Sequence, residues 1–218
     1  MRRQLRRGDD RAAGGRERRA GRGEPAARPR RRVSDSPQPG LRLVRERRTV
    51  ALFKPEPPPR ELLLAAIDAA RWAPNHHLTE PWRFFLLGAA TVDAMVEVAG
   101  ELTLAKRGAG AAKKRRQLME AAPHWMAVTC RRTEEAFRER EDYAACCCAI
   151  QNFMLCLWED GVACKWSTGA VTRDERFYEL LGVSPDDEMV VGLFSIGYPR
   201  IIPEQKRRPV GEILTELA

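Results

Sequence analysis

A chain of 218 residues that are 44% hydrophobic is long enough for one sizeable domain with a core, and no apolar run approaches the roughly 20 residues of a membrane-spanning helix. The net charge of +8 sits at one end. Residues 1–40 hold 13 arginines and 5 acidic residues, whereas 41–218 hold 25 basic and 25 acidic residues. The folded part therefore has no overall field to attract nucleic acid.

Residues 1–40, rich in Arg, Gly, Ala and Pro, show no apolar periodicity and are expected to form a disordered tail. Order is expected from residue 41, in a single domain over 41–218. Residues 41–48 read as a short helix, and 55–59 as a stiff proline-rich connector. A helix over 60–73 follows, with Leu62, Leu63, Ala66, Ile67 and Ala70 at helical spacing. Pro74 stops it. Residues 82–87 read as a strand, 91–104 as a helix, and 106–116 as a basic, glycine-containing loop running into a helix, its charges forming a solvated face. A second strand is expected over 124–130 and a charged connection over 131–141. The segment 142–160 is apolar on nearly all sides and is expected to be a central helix packed on both the sheet and a partner subunit. A third strand (162–166), a helix (173–181), a largely apolar fourth strand (189–196) and a short terminal helix (210–217) complete the chain. The fold class is α+β: a mixed, mainly antiparallel sheet with helices on both faces.

The six cysteines form no CxxC pair, and three are consecutive, a poor disulfide framework. With no apolar leader at the N-terminus, a cytoplasmic location is expected, the thiols acting as small buried hydrophobes. His76 and His77 share a loop, but His124 begins a separate strand and no HExxH occurs, so no metal site is expected. Dinucleotide-binding glycine fingerprints, a P-loop and a nucleophile elbow are all missing.

Four clusters remain. Glu46-Arg47-Arg48-Thr49 offers two guanidinium forks and a hydroxyl, a donor set suited to phosphate, although adjacent arginines on a helix are ordinarily just solvated. The segment from Ala73 to Trp82 is a polar loop bounded by prolines that can hydrogen-bond a polar ring system. Lys165-Trp166-Ser167-Thr168-Gly169 places hydroxyl and backbone donors beside an aromatic plane, and Gln205-Lys206-Arg207-Arg208-Pro209 is a second basic cluster. In this order, with Ile196-Gly197-Tyr198-Pro199 after the last strand, they resemble the nitroreductase family over 41–217, most closely its small single-domain NAD(P)H nitroreductases.

The resemblance implies a nitroreductase-like fold assembled as an intertwined homodimer, with FMN at the interface. It implies that Arg47, Arg48 and Thr49 hold the FMN phosphate and ribityl chain, with Arg207 and Arg208 as a second phosphate contact. Trp166, Ser167 and Thr168 fall beside the ring or the ribityl chain, and His76 and Glu80 approach the flavin of the other subunit. Three positions depart from the family pattern. Ala51 and Ser167 stand where relatives often carry a cation, and Glu80 stands where many carry Gln, which donates as an ionised Glu cannot. The implied reaction is ping-pong: NAD(P)H passes a hydride to flavin N5, and an organic acceptor such as a nitro compound or quinone then takes it. No side chain need act as an acid or base. Two other readings stay open. One is a flavoprotein of the same fold with a specialised reaction, such as dehalogenation, flavin breakdown or natural-product modification. The other is a dimeric binding protein whose basic arm contacts nucleic acid, a reading that the neutral 41–218 segment disfavours.

Overall fold

The computed structural model describes residues 39–217. All of the tail expected over 1–40, except its last two positions, lies outside the described residues. Helix α1 (Pro39–Glu46) ends two residues earlier than its pattern suggests. Arg48 Nη1 donates to the carbonyls of Arg45 (2.6 Å) and Arg47 (2.9 Å), and the chain then leaves the helix to run beside the sheet. Helix α2 (Arg60–Ala70) follows the proline connector, and strand β1 (Trp82–Leu86) follows a short 3₁₀ turn at His76–Leu78.

Next come α3 (Ala89–Arg107) and α4 (Ala109–Glu120), where a basic loop was expected over 106–116. The helix continues through the basic residues because Ala, Lys and Arg all favour it. Only Gly108 breaks it, at φ 80°, a conformation costly for any residue with a Cβ. Strand β2 (His124–Arg131) leads into α5 (Ala136–Glu159), which starts six residues before the apolar pattern does. Its first turns are charged and exposed, and an Arg132–Glu139 ion pair at 3.1 Å ties them back. Strand β3 (Ala163–Ser167), α6 (Glu175–Leu181) and β4 (Glu188–Gly197) complete the core. The terminal helix expected over 210–217 is reduced to a 3₁₀ turn at Val210–Glu212. The apolar side chains of this segment are exposed in the single chain, so no burial stabilises a longer helix.

The four strands form one sheet in the order β1-β2-β4-β3, every neighbouring pair antiparallel. The parallel component is a lone bridge between Thr49 and Cys164. Strand alternation divides the core in two. Met126, Val128 and Cys130 of β2 face α2 and α5, with Ile150, Phe153 and Leu157 of α5 against them. Trp125 and Ala127 face the opposite side, where Met95 of α3, Met119 of α4 and Phe177 of α6 pack. Helices thus cover both faces, as the α+β reading expects.

Candidate functional site

The chain from Thr49 to Lys54 is threaded along the sheet's free edge. Val50, only 1% exposed, donates from its amide to the Cys164 carbonyl at 3.3 Å, and Lys54 donates to Tyr198 at 2.9 Å. Arg200 returns a bond to the Leu52 carbonyl at 2.9 Å. Residues 49–51 therefore run parallel to β3. Arg47, Arg48 and Thr49 lie at its Cys164 end, and Trp166 and Ser167 lie at the other. Arg47 stands near enough to Cys164 to oppose the burial that pushes this thiol up to about 12.

Beyond the end of β3 opens a cavity of about 760 Å³ between the α3–α4 hairpin and the turn that follows Ser167. Leu102, Leu118 and Val171 give it apolar walls, and Ser167 and Thr168 give it hydroxyls. Alternation along β3 explains the placement. Cys164 packs into the α5-side core, so Lys165 and Ser167 point to the α3–α4 side. Trp166 is fixed by an Nε1–H donated to the Val191 carbonyl at 3.1 Å and by Phe194, whose ring centroid lies 5.6 Å away. Its indole lies over Gly192, where a Cβ would fall 2.1 Å from Nε1, so only glycine admits this packing. Thr172 Oγ1 and the Arg173 guanidinium brace the turn, donating to the carbonyls of Gly169 (2.9 Å) and Thr168 (3.1 Å).

A smaller void of about 50 Å³ adjoins this cavity and is lined by Ala51, Ser167, Lys165 and Arg115. The two positions where relatives often carry a cation, Ala51 and Ser167, thus meet two cations from elsewhere. Arg115 was not singled out from the sequence. It belongs to the basic run 106–116, which read as a solvated face, and the signal in it was a cluster of cations within a domain of zero net charge. Burial pushes its guanidinium below the ordinary arginine value, with no carboxylate to offset the effect.

The loop carrying His76 and Glu80 lies elsewhere and lines neither cavity. It is anchored to α5. Thr79 Oγ1 donates to the buried Asp142 carboxylate at 2.6 Å, and His76 Nδ1 lies 3.1 Å from both Glu141 oxygens. His77, Leu78 and Glu80 all adopt positive φ, at 58°, 52° and 41°. Three such non-glycine residues so close together are costly and persist only where surrounding contacts impose them. Here Asn75 Oδ1 accepts from the Glu80 amide at 2.9 Å, and the Asp142 anchor holds the other side. Leu78 projects outward, 82% exposed. At the C-terminus, Arg207 makes only local bonds, to Gln205 Oε1 (2.7 Å) and the Lys206 carbonyl (3.2 Å), and Arg208 is exposed. One chain therefore brings together the 47–49 and 165–168 clusters and leaves 76–80 and 207–208 apart from them. Among the described residues, no group of three metal-ligating side chains occurs, and no helix is long and apolar enough to cross a membrane.

Comparison with known proteins gives a consistent picture. The profile of the Nitroreductase family matches residues 44–198. The Bacillus subtilis (strain 168) protein named "Putative NAD(P)H nitroreductase YfhC" is 30% identical over 188 residues, covering 80% of this chain and 92% of its own. A crystal structure of a nitroreductase-like family protein from Bacillus cereus superposes with a TM-score of 0.71 at 32% identity, covering 81% of this chain and 94% of that one. The FMN-dependent nitroreductase NfnB of Mycobacterium smegmatis, solved with NADPH, shares the fold at a TM-score of 0.66 and 18% identity, covering 82% of this chain and 98% of its own.

Proposed function

The chain belongs to the nitroreductase family, and from that premise we propose that it is an FMN-dependent oxidoreductase whose cofactor lies along β3 between two copies of the chain. The observation that carries this reading is the parallel run of residues 49–51 beside β3, which aligns the Arg47–Thr49 cluster with Trp166, Ser167 and Thr168 at the mouth of the cavity. The donor set fits FMN. Arg47 and Arg48, with Arg207 and Arg208 of the C-terminal segment, suit its phosphate. The hydroxyls of Thr49, Ser167 and Thr168 suit the ribityl chain, and Leu102 and Leu118 offer apolar walls. A cavity of about 760 Å³ falls within the size range of small-molecule sites. Lys165 and Arg115 supply positive charge where Ala51 and Ser167 supply none, next to the place where a reduced flavin would carry its negative charge.

When bound, FMN supplies at N5 the centre that accepts a hydride from NAD(P)H and passes it to an organic acceptor, such as a nitro compound or quinone, in ping-pong order. The protein's part is to bind, orient and exclude water. Trp166, locked by Val191, Phe194 and Gly192 on the α5 side of the sheet, holds rigid the end of β3 that presents Ser167 to the cavity.

The homodimer is supported by apolar surface that a monomer would leave in water. Trp72 is 73% and Leu217 91% exposed, and Phe137, Ile201, Ile202, Ile213 and Leu214 are exposed as well. The outer face of α5 carries Ala144 and Cys148, both small and exposed, as a helix packed on a second copy requires. A partner would also bring the strained His76–Glu80 loop toward the flavin of the neighbouring subunit. The Arg-rich segment 1–40 stands outside the proposed FMN-binding domain 41–218, and the six unpaired thiols suit the cytoplasm. The test is direct. Purified protein should be yellow, release FMN on denaturation and elute as a dimer. A colourless protein that takes up no added FMN would overturn the proposal.

A further inference from the structure

The cavity holds more positive charge than its cofactor needs. Six cations line it: Lys106 and Arg107 at the end of α3, Lys114 and Arg115 on α4, Lys165 on β3 and Arg173 after the turn. No carboxylate lines it. The nearby acids of α3 are committed elsewhere, Glu97 to Arg116 at 3.0 Å and Glu101 to Arg176 at 2.6 Å. The cavity cations, by contrast, have no carboxylate partner among the described residues, in a domain whose net charge is zero.

The six divide by depth. Arg115 and Lys165 are half-buried beside Ala51 and face the proposed flavin. Lys106, Arg107, Lys114 and Arg173 are exposed and form a rim around the mouth. The helical period explains the rim. Lys114 and Arg115 are adjacent on α4, and the single-residue turn at Gly108 folds α4 back on α3, so that they line the same cavity as Lys106 and Arg107. Arg173 uses one nitrogen on the Thr168 carbonyl, and its guanidinium has no other partner among the described residues. Cations sharing one cavity with no counter-charge repel one another, and an anion relieves that repulsion. The walls behind them, Leu102, Leu118 and Val171, suit an apolar body.

We infer that the rim formed by Lys106, Arg107, Lys114 and Arg173 recognises an anionic reactant, so that the enzyme selects the more anionic of two reactants of similar shape. The inference rests on the proposed flavin site. The same chemistry has two sources: the 2′-phosphate of a phosphorylated dinucleotide donor, or the acidic group of an acceptor.

The experiment uses the FMN-loaded protein and its Arg107→Gln/Lys114→Gln variant, both substitutions lying on the exposed rim. One arm compares NADPH with NADH at a fixed neutral acceptor, and calorimetry measures adenosine 2′,5′-bisphosphate binding. The other arm compares 4-nitrobenzoate with 4-nitrobenzamide at a fixed donor. In at least one arm the more anionic member should be favoured in kcat/KM by about tenfold or more at low ionic strength. That preference should shrink on raising salt from roughly 50 to roughly 300 mM and collapse in the variant. The arm that responds identifies the source. Equal rates for both members of both pairs, or a preference that the variant retains, would overturn the inference while leaving the flavin reading intact. A variant that loses FMN without changing either preference would assign the rim to the cofactor and also overturn it. Failure of the flavin reading itself would show separately, as a wild-type protein that binds no FMN.

Discussion

Gly192→Ala probes the packing on which the site depends. Gly192 lies in the central strand β4, and an added Cβ would sit 2.1 Å from Trp166 Nε1 and 2.5 Å from Cδ1. The indole cannot rotate away freely, because it donates to Val191 at 3.1 Å and packs on Phe194. Accommodating the methyl group therefore means overpacking, at about 1–3 kcal/mol, plus the loss of one partly buried hydrogen bond worth about 1 kcal/mol. The expected destabilisation is about 2–4 kcal/mol, which lowers Tm by roughly 4–16 °C for a domain of this size. Urea unfolding followed by tryptophan fluorescence and circular dichroism measures it, with an unchanged slope required for a pure stability effect. Trp166 fixes the end of β3 that presents Ser167 and Thr168 to the cavity, so FMN affinity should fall in the folded variant. A variant within about 0.5 kcal/mol of wild type, with unchanged FMN affinity, would refute the assigned Trp166 packing.

Other residues give further checks. Thr79→Val removes the donor to buried Asp142 and should cost about 1–3 kcal/mol, together with faster proteolysis of the 76–80 loop; a neutral effect would contradict the anchor. The Cys164 thiol, pushed up to about 12 by burial, stays protonated in the folded chain while the unfolded chain ionises near 8.5. Its contribution is complete below about pH 8.5 and falls by about 1.4 kcal/mol per unit as pH rises toward 12. Cys164→Ala should flatten that alkaline slope by one proton, and an unchanged slope would show that the thiol is not buried in this way. Arg47→Ala combined with Arg207→Ala should greatly weaken FMN retention, measured by equilibrium dialysis; unchanged affinity would misplace the phosphate contacts. Rapid-mixing reduction should show fast bleaching of the flavin by NADH or NADPH, whereas very slow reduction by both would favour a specialised reaction on the same fold.

Much of the architecture was legible because the strands are short apolar runs bounded by turn residues. Trp125, Met126, Ala127 and Val128 are apolar toward both faces, as a sheet covered on both sides requires. The cluster from Lys165 to Gly169 read as a turn at the end of the third strand, and there Ser167 lines the cavity. What the sequence obscured was the α3–α4 hairpin. Lys106 to Arg116 combines glycines with a dense run of cations, which reads as a solvated loop when neighbours in space are unknown. The helix persists because alanine and lysine favour it and only Gly108 turns the chain. The charges then converge on β3, a long-range fact that no local window contains. The terminal segment 210–217 misled in the opposite sense. Its apolar spacing suits a helix, but helical stability comes mainly from burying that face, and in one chain Ile213, Leu214 and Leu217 remain exposed. His76 and Glu80 lie apart from the cavity in one chain, and only the proposed second copy would bring them to it.

The central claim, that FMN binds at the end of β3 beside Ser167 and Thr168, is tested most directly by titrating FMN into flavin-stripped protein while following quenching of tryptophan fluorescence and the flavin absorbance. Saturation at one FMN per chain, weakened by about tenfold or more when Ser167 is replaced by a bulky leucine, is the predicted result. No saturable binding, or an affinity unchanged in Ser167→Leu, would contradict it.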